Sequence, residues 1–142
     1  MPDKFSKKER ITSRREIEIL IKSGKAIVHY PIRSVFLQTA EKSNEGAEEN
    51  VAILVSVPKR NFKKAVDRNL LKRRIRESYR LNKSILRNED NTMGKRKILI
   101  LFSYIGKEIK DFGEIETQIC NILEKIRENL RESNQHSADS SR

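Results

Sequence analysis

The sequence predicts one domain of mixed helices and strands in which a long basic helix crosses between two buried strands. Three observations carry this reading. Residues 51–57 (VAILVSV) and 97–103 (KILILFS) are continuous apolar runs of strand length. Between them, Leu71, Ile75 and Tyr79 fall at i, i+4 and i+8, an apolar stripe on a helix over about 64–86. Beyond them, Phe112, Ile115, Ile119, Ile122, Leu123, Ile126 and Leu130 recur on one face of a second long helix ending near Arg131. Strand, helix and strand in that order form a crossover unit.

The remaining elements follow in chain order. Residues 1–9 read as a mobile basic arm that includes Phe5. Ser13 and Glu16 have capping-box spacing, Ile17, Leu20 and Ile21 give a helical apolar face, and Gly24 stands where a helix stops, so a short helix covers 13–22. Residues 26–30 and 32–39 are rich in β-formers and separated by Pro31, which predicts two adjoining strands. Residues 41–50 (EKSNEGAEEN) are an acidic, polar loop, Pro58 closes the strand at 51–57, and 88–94 break the basic helix. Asp111 and Glu114 repeat the capping-box spacing before the last helix. From Glu132 the chain is small and polar, so residues 1–131 make a single domain and 132–142 a disordered tail.

A chain of 142 residues suits a single core, and with 36% apolar and 36% charged residues that core must be economical. No segment approaches a membrane span, and the first ten residues, MPDKFSKKER, lack the apolar centre of a signal peptide, so a cytoplasmic protein is expected. Cys120 is the only cysteine, which excludes an internal disulfide and a cysteine-based zinc site; its place on a helical apolar face assigns it to packing. His29 and His136 have no neighbours at metal-ligand spacing. The acids gather at 41–49 and along the last helix and do not converge as a two-metal nuclease requires. No catalytic residue and no protein-held metal are expected.

What the sequence does concentrate is positive charge. Residues 59–83 (KRNFKKAVDRNLLKRRIRESYRLNK) hold 11 Lys and Arg against Asp67 and Glu77, a local balance of +9, while the other 117 residues together carry only +2 of the total +11. Two acids cannot supply the alternation of a merely solvated helix face. On a helix, Arg68, Lys72, Arg76 and Arg80 form one row, with Asn69 and Arg73 beside it. Lys59, Arg60 and Lys63 lie at the strand-to-helix junction, where unpaired backbone N–H groups and the helix dipole add affinity for anions. A helix that buries one side and presents cations on another fits a polyphosphate partner. A DNA-binding regulator laying this helix in the major groove is the competing reading, but the helix sits between two strands and not in a helical hairpin. A membrane-surface anchor would need exposed Trp, Phe and Leu that are not there.

At this helix the sequence reaches a known pattern. Ala65-Val66, Arg68-Asn69, Lys72-Arg73, Arg76-Glu77 and Arg80 closely resemble the RNR signature of the bacterial ribonuclease P protein subunit, position for position. Ser56-Val57-Pro58-Lys59-Arg60 resembles that family's strand-end segment, and the stretch from Arg10 to Gly24 its N-terminal helix. The resemblance covers roughly residues 9–130. It implies an α+β fold, with a four-stranded sheet packed by two to three helices and a left-handed βαβ crossover carrying the basic helix, like the second domain of a small-subunit ribosomal protein. It further implies the protein subunit of a ribonucleoprotein endonuclease that removes the 5′ leader of precursor tRNA. In that family the partner RNA is catalytic and holds Mg²⁺, and the protein binds both this RNA and the leader. The resemblance places the leader between sheet and N-terminal helix, near Ile17, Ile21 and Phe36. Two departures stand out. Asn61-Phe62-Lys63-Lys64 is one residue longer than usual and lacks the common Gly, and Ile17 and Ile21 stand where Phe is frequent. Ile has no π-face for a base.

Overall fold

The computed structural model describes residues 14–42, 51–86 and 96–140. The basic arm with Phe5, the capping residue Ser13, most of the acidic loop and the break at 88–94 lie outside the described residues. The chain forms α1 (Arg14–Ser23), β1 (Lys25–His29), β2 (Ile32–Lys42), β3 (Val51–Ser56), α2 (Ala65–Asn82) with a 3₁₀ turn at Lys83–Leu86, β4 (Arg96–Tyr104) and α3 (Phe112–Ser140).

The four strands make one mixed sheet in the order β1-β2-β4-β3. β1 and β2 pair antiparallel around the Tyr30-Pro31 turn, β2 pairs antiparallel with β4, and β3 pairs parallel with β4. The parallel pair is the crossover that the two apolar runs predict, with α2 as its connection. The fold is α+β, as the resemblance implies.

Both central strands are apolar on each face because helices cover the sheet from both sides. On one face, Phe36, Ile53, Ile98, Ile100 and Phe102 meet Leu71, Ile75 and Tyr79 of α2 and Ile115, Ile119, Ile122, Leu123 and Ile126 of α3. The predicted α2 stripe is completely buried, with Leu71 and Ile75 at 0% exposure and Tyr79 at 1%. On the other face, Leu20 of α1 packs with Val35, Ala52, Leu99 and Leu101, with Ile17, Leu37 and Leu54 at the margin.

The helix ends follow their sequence signals where those signals are strong. Gly24 closes α1 through its N–H to the Leu20 carbonyl at 2.8 Å, and a Cβ there would collide with that carbonyl and with Val35. Asp111 caps α3, its Oδ1 accepting from the Glu114 N–H at 2.9 Å. At the far end, however, helical backbone continues to Ser140, past the end near Arg131 and through most of the segment read as a disordered tail. Residues 132–140 contain neither Gly nor Pro, and extending an existing helix is far less costly than starting one.

Candidate nucleic-acid interface

The cationic surface begins where β3 leaves the sheet. Pro58 and the three residues after it form a turn in which the Pro58 carbonyl accepts from the N–H groups of Asn61 (3.2 Å) and Phe62 (3.4 Å). Phe62 then buries its ring edge-on against Tyr104, 5.7 Å between centroids. This anchor lets a polar stretch leave the core without its flanking cations being drawn inward. Lys59, Arg60, Lys63 and Lys64 are all exposed. Lys64 sits at the N-cap of α2 and supplies no side-chain cap to the helix.

Along α2 the predicted row divides. Asn69 and Arg73 are exposed, and Lys72 and Arg76 are half-buried. Arg68 and Arg80 are bonded to groups of α2 and of the segment before it. The Arg68 Nη1 donates to the carbonyls of Phe62 (2.7 Å) and Lys63 (2.9 Å). Arg80 donates through Nε to Glu77 Oε2 at 3.1 Å and through a second nitrogen to Oε1. Projection on a helical wheel misses this, because side chains on a helix lean toward its N-terminus. Arg68, in the first turns of α2, reaches back past the helix start; Arg80 reaches back one turn to Glu77. Lys83, the last cation of the basic segment, is only 5% exposed.

The Glu77 carboxyl is held below its ordinary value of 4.5, chiefly by the Arg80 hydrogen bond. A lowered folded pKa means that the pair's contribution is present above the ordinary value and is lost as pH falls through the lowered one; at neutral pH the pair is formed. Being partly exposed, it contributes no more than about 0.5 kcal/mol. Its effect on binding is larger, since it engages a charge. Arg73→Ala is therefore expected to lower the salt-dependence slope of RNA binding by about one unit and Arg80→Ala by less than half of that. Filter binding across a salt series checks this; equal slopes would mean that the Glu77 pair opens on binding.

One cation outside the predicted set is structural. Arg74 donates through Nη1 to the Lys110 carbonyl, tying α2 to the segment ahead of α3, and its own carbonyl accepts from Ser78 Oγ at 2.7 Å. Sequence reasoning gives no signal for it, since the loop carbonyl is revealed only by the packing of α2 beside α3. Cys120 is half-buried, and burial with Glu116 and Glu124 nearby pushes its thiol pKa up, away from reactivity. Among the described residues, no group of three His, Cys, Asp or Glu side chains is arranged to hold a metal ion.

The residues expected to meet the leader do not stay together. Phe36 is 5% exposed and lies in the core between the sheet and α2/α3, so it offers no ring face to a base. This corrects the expectation from the resemblance. Residues 35–37 are Val-Phe-Leu, apolar on both faces, and alternation sends Val35 and Leu37 toward α1 and Phe36 the other way. Ile17 of α1 is half-buried against the sheet, and Ile21, one turn on, is 64% exposed. On the opposite flank of α1, Arg15 and Ile19 border an open groove of ≈ 360 Å³ floored by Leu37, Thr39 and Leu99. One wall is fixed by the ion pair of Glu16 with Lys97 at 2.8 Å.

Exposed cations massed on a sheet-to-helix junction of an α+β domain define a nucleic-acid-binding protein. The family model described as Ribonuclease P matches residues 5–127. A ribonuclease P protein component of Porphyromonas gingivalis is 38% identical over 134 residues, spanning 91% of this chain and 90% of that protein. One from Citrifermentans bemidjiense is 32% identical over 123 residues, 87% of this chain and 92% of the relative. The ribonuclease P protein of Thermotoga maritima superposes with a TM-score of 0.63 at 23% identity, covering 82% of this chain and 96% of that one, and shows the same fold. The chain belongs to the ribonuclease P protein family, whose role is 5′ processing of tRNA, and its partner is an RNA in a ribonucleoprotein. The DNA-regulator reading finds no support. No helix among the described residues is long and apolar enough to cross a membrane.

Proposed function

We propose that this protein serves a cytoplasmic holoenzyme in which the RNA subunit, with its Mg²⁺, cleaves the phosphodiester at the 5′ end of precursor tRNA, while the protein binds that RNA and the leader. The observation that carries this is the exposed cation group Lys59, Arg60, Lys63, Lys64 and Arg73 on a chain of this family. Closely spaced cations suit the closely spaced phosphates of a folded RNA. The leader, a single strand, suits the surface around α1, where Ile19 offers apolar contact beside Arg15 on one flank and Ile17 and Ile21 offer it on the other. With no aromatic ring among the described residues that line the groove, its grip rests on the backbone more than on base identity.

Purified protein alone is expected to leave precursor tRNA intact. Added to the cognate RNA subunit, it is expected to restore 5′ cleavage at low Mg²⁺, with a benefit that grows from one-nucleotide to long leaders. Leader removal by RNA-free protein that survives nuclease-free repurification would refute the division of labour; a benefit independent of leader length would refute the leader site alone.

A further inference from the structure

We propose that Arg68, the first arginine of the signature, is a positioning residue: it fixes the junction that displays Lys59, Arg60, Lys63 and Lys64, and it does not itself bind a phosphate. This rests on the reading of that junction as the RNA-facing surface.

The junction must carry four like charges on exposed backbone between a buried ring and a helix start. At its beginning, the Pro58 carbonyl takes two N–H groups and Phe62 is packed on Tyr104. At its end, the Lys64 carbonyl accepts from the N–H groups of Asp67 and Arg68, both at 3.2 Å. The peptides between these two anchors, those of the Phe62 and Lys63 carbonyls, are bonded by the Arg68 guanidinium, one nitrogen serving both oxygens. The α2 N-cap residue is extended (φ −82°, ψ 128°) and gives no side-chain cap, so the entry to the helix depends on this arginine. Four mutually repelling cations on an untethered segment would spread apart. A segment already tethered gives up less entropy when the RNA arrives, which is the physical content of preorganisation. Both carbonyls are held through Nη1, so a phosphate that took that nitrogen would undo the tether.

The test is a mutant cycle on the full-length protein with a transcript of its cognate RNA subunit as the probe. Arg68→Ala is expected to weaken binding about tenfold in the wild-type background, the scale of a lost phosphate contact. In the Lys59→Ala/Arg60→Ala/Lys63→Ala background it is expected to change affinity less than about twofold, with no further fall in salt slope, because three of the four cations it positions are gone. In the free protein, hydrogen exchange at the amides of Lys63, Lys64 and Ala65 should accelerate while the core amides of β4 stay protected. A tenfold loss that persists in the triple background, with a further drop of about one unit in slope, would make Arg68 a direct phosphate contact. Unchanged exchange at the junction would also overturn the proposal, and so would a uniform rise across the whole protein. Failure of the wild-type protein to bind the RNA would refute the RNA-facing reading separately, since the exchange measurement needs no RNA.

Discussion

Replacing Phe36 with alanine is expected to lower the unfolding free energy by about 3–5 kcal/mol, the range for emptying an aromatic site in a packed core. Phe36 stands on the sheet face shared with α2 and α3, among Ile53, Ile98, Ile100 and the α3 isoleucines, with 5% of its surface exposed. It pairs across the sheet with Ile100 on one side and Lys25 on the other. Neither neighbour can swing in to fill the void without leaving its own place. Urea unfolding should show a lower midpoint at an unchanged m-value. Under conditions where the variant is folded, its discrimination between long and one-nucleotide leaders should match that of the wild type. A loss below about 1 kcal/mol, together with selective damage to long-leader substrates, would return Phe36 to the leader site and misplace β2 by one residue.

That one-residue question marks where the sequence stops speaking. The α2 stripe and the long apolar face of α3 are legible because a 3.6-residue period is redundant: Ile115, Ile119, Ile122, Ile126 and Leu130 each repeat the same statement, and all are buried. The strands 51–57 and 97–103 are legible as buried elements, but being apolar on both faces they do not say which residue looks toward which helix. For Val35, Phe36 and Leu37 the ambiguity decided function, and only the packing of α1 over Val35 and Leu37 resolves it. Charge was legible in amount and in location along the chain. Its partition was not. The same period that aligns Arg68, Lys72, Arg76 and Arg80 is blind to the lean of side chains toward the N-terminus, which hands Arg68 to the carbonyls of Phe62 and Lys63 and Arg80 to Glu77. The Glu77 pair does have a sequence signal, because an acid in the midst of cations three residues before Arg80 has few other roles. The groove at Ile19, Leu37 and Leu99 had no sequence signal, since it is built from three elements far apart in the chain.

The junction cations should then dominate affinity for the RNA. Lys59→Ala/Arg60→Ala/Lys63→Ala is expected to weaken binding to the RNA subunit by at least a hundredfold and to reduce the salt-dependence slope by roughly two to three units, since each neutralised phosphate contributes just under one. All three side chains are exposed, so unfolding stability should stay within about 0.5 kcal/mol of wild type. Removal of like charges from one short segment relieves repulsion in the free protein, which makes a small gain in stability the expected sign. The combination separates the surface from the scaffold: Phe36→Ala loses stability and keeps the junction, whereas the triple variant keeps stability and loses the RNA. Binding isotherms between low and moderate salt, read beside urea curves on the same preparations, measure both. If the triple variant keeps its slope while affinity drops, the cations act by shaping the protein and not by displacing counterions. If both slope and affinity survive, the phosphates are met by Lys64, Arg73 and the rest of α2, and the RNA lies along the helix instead of across its start.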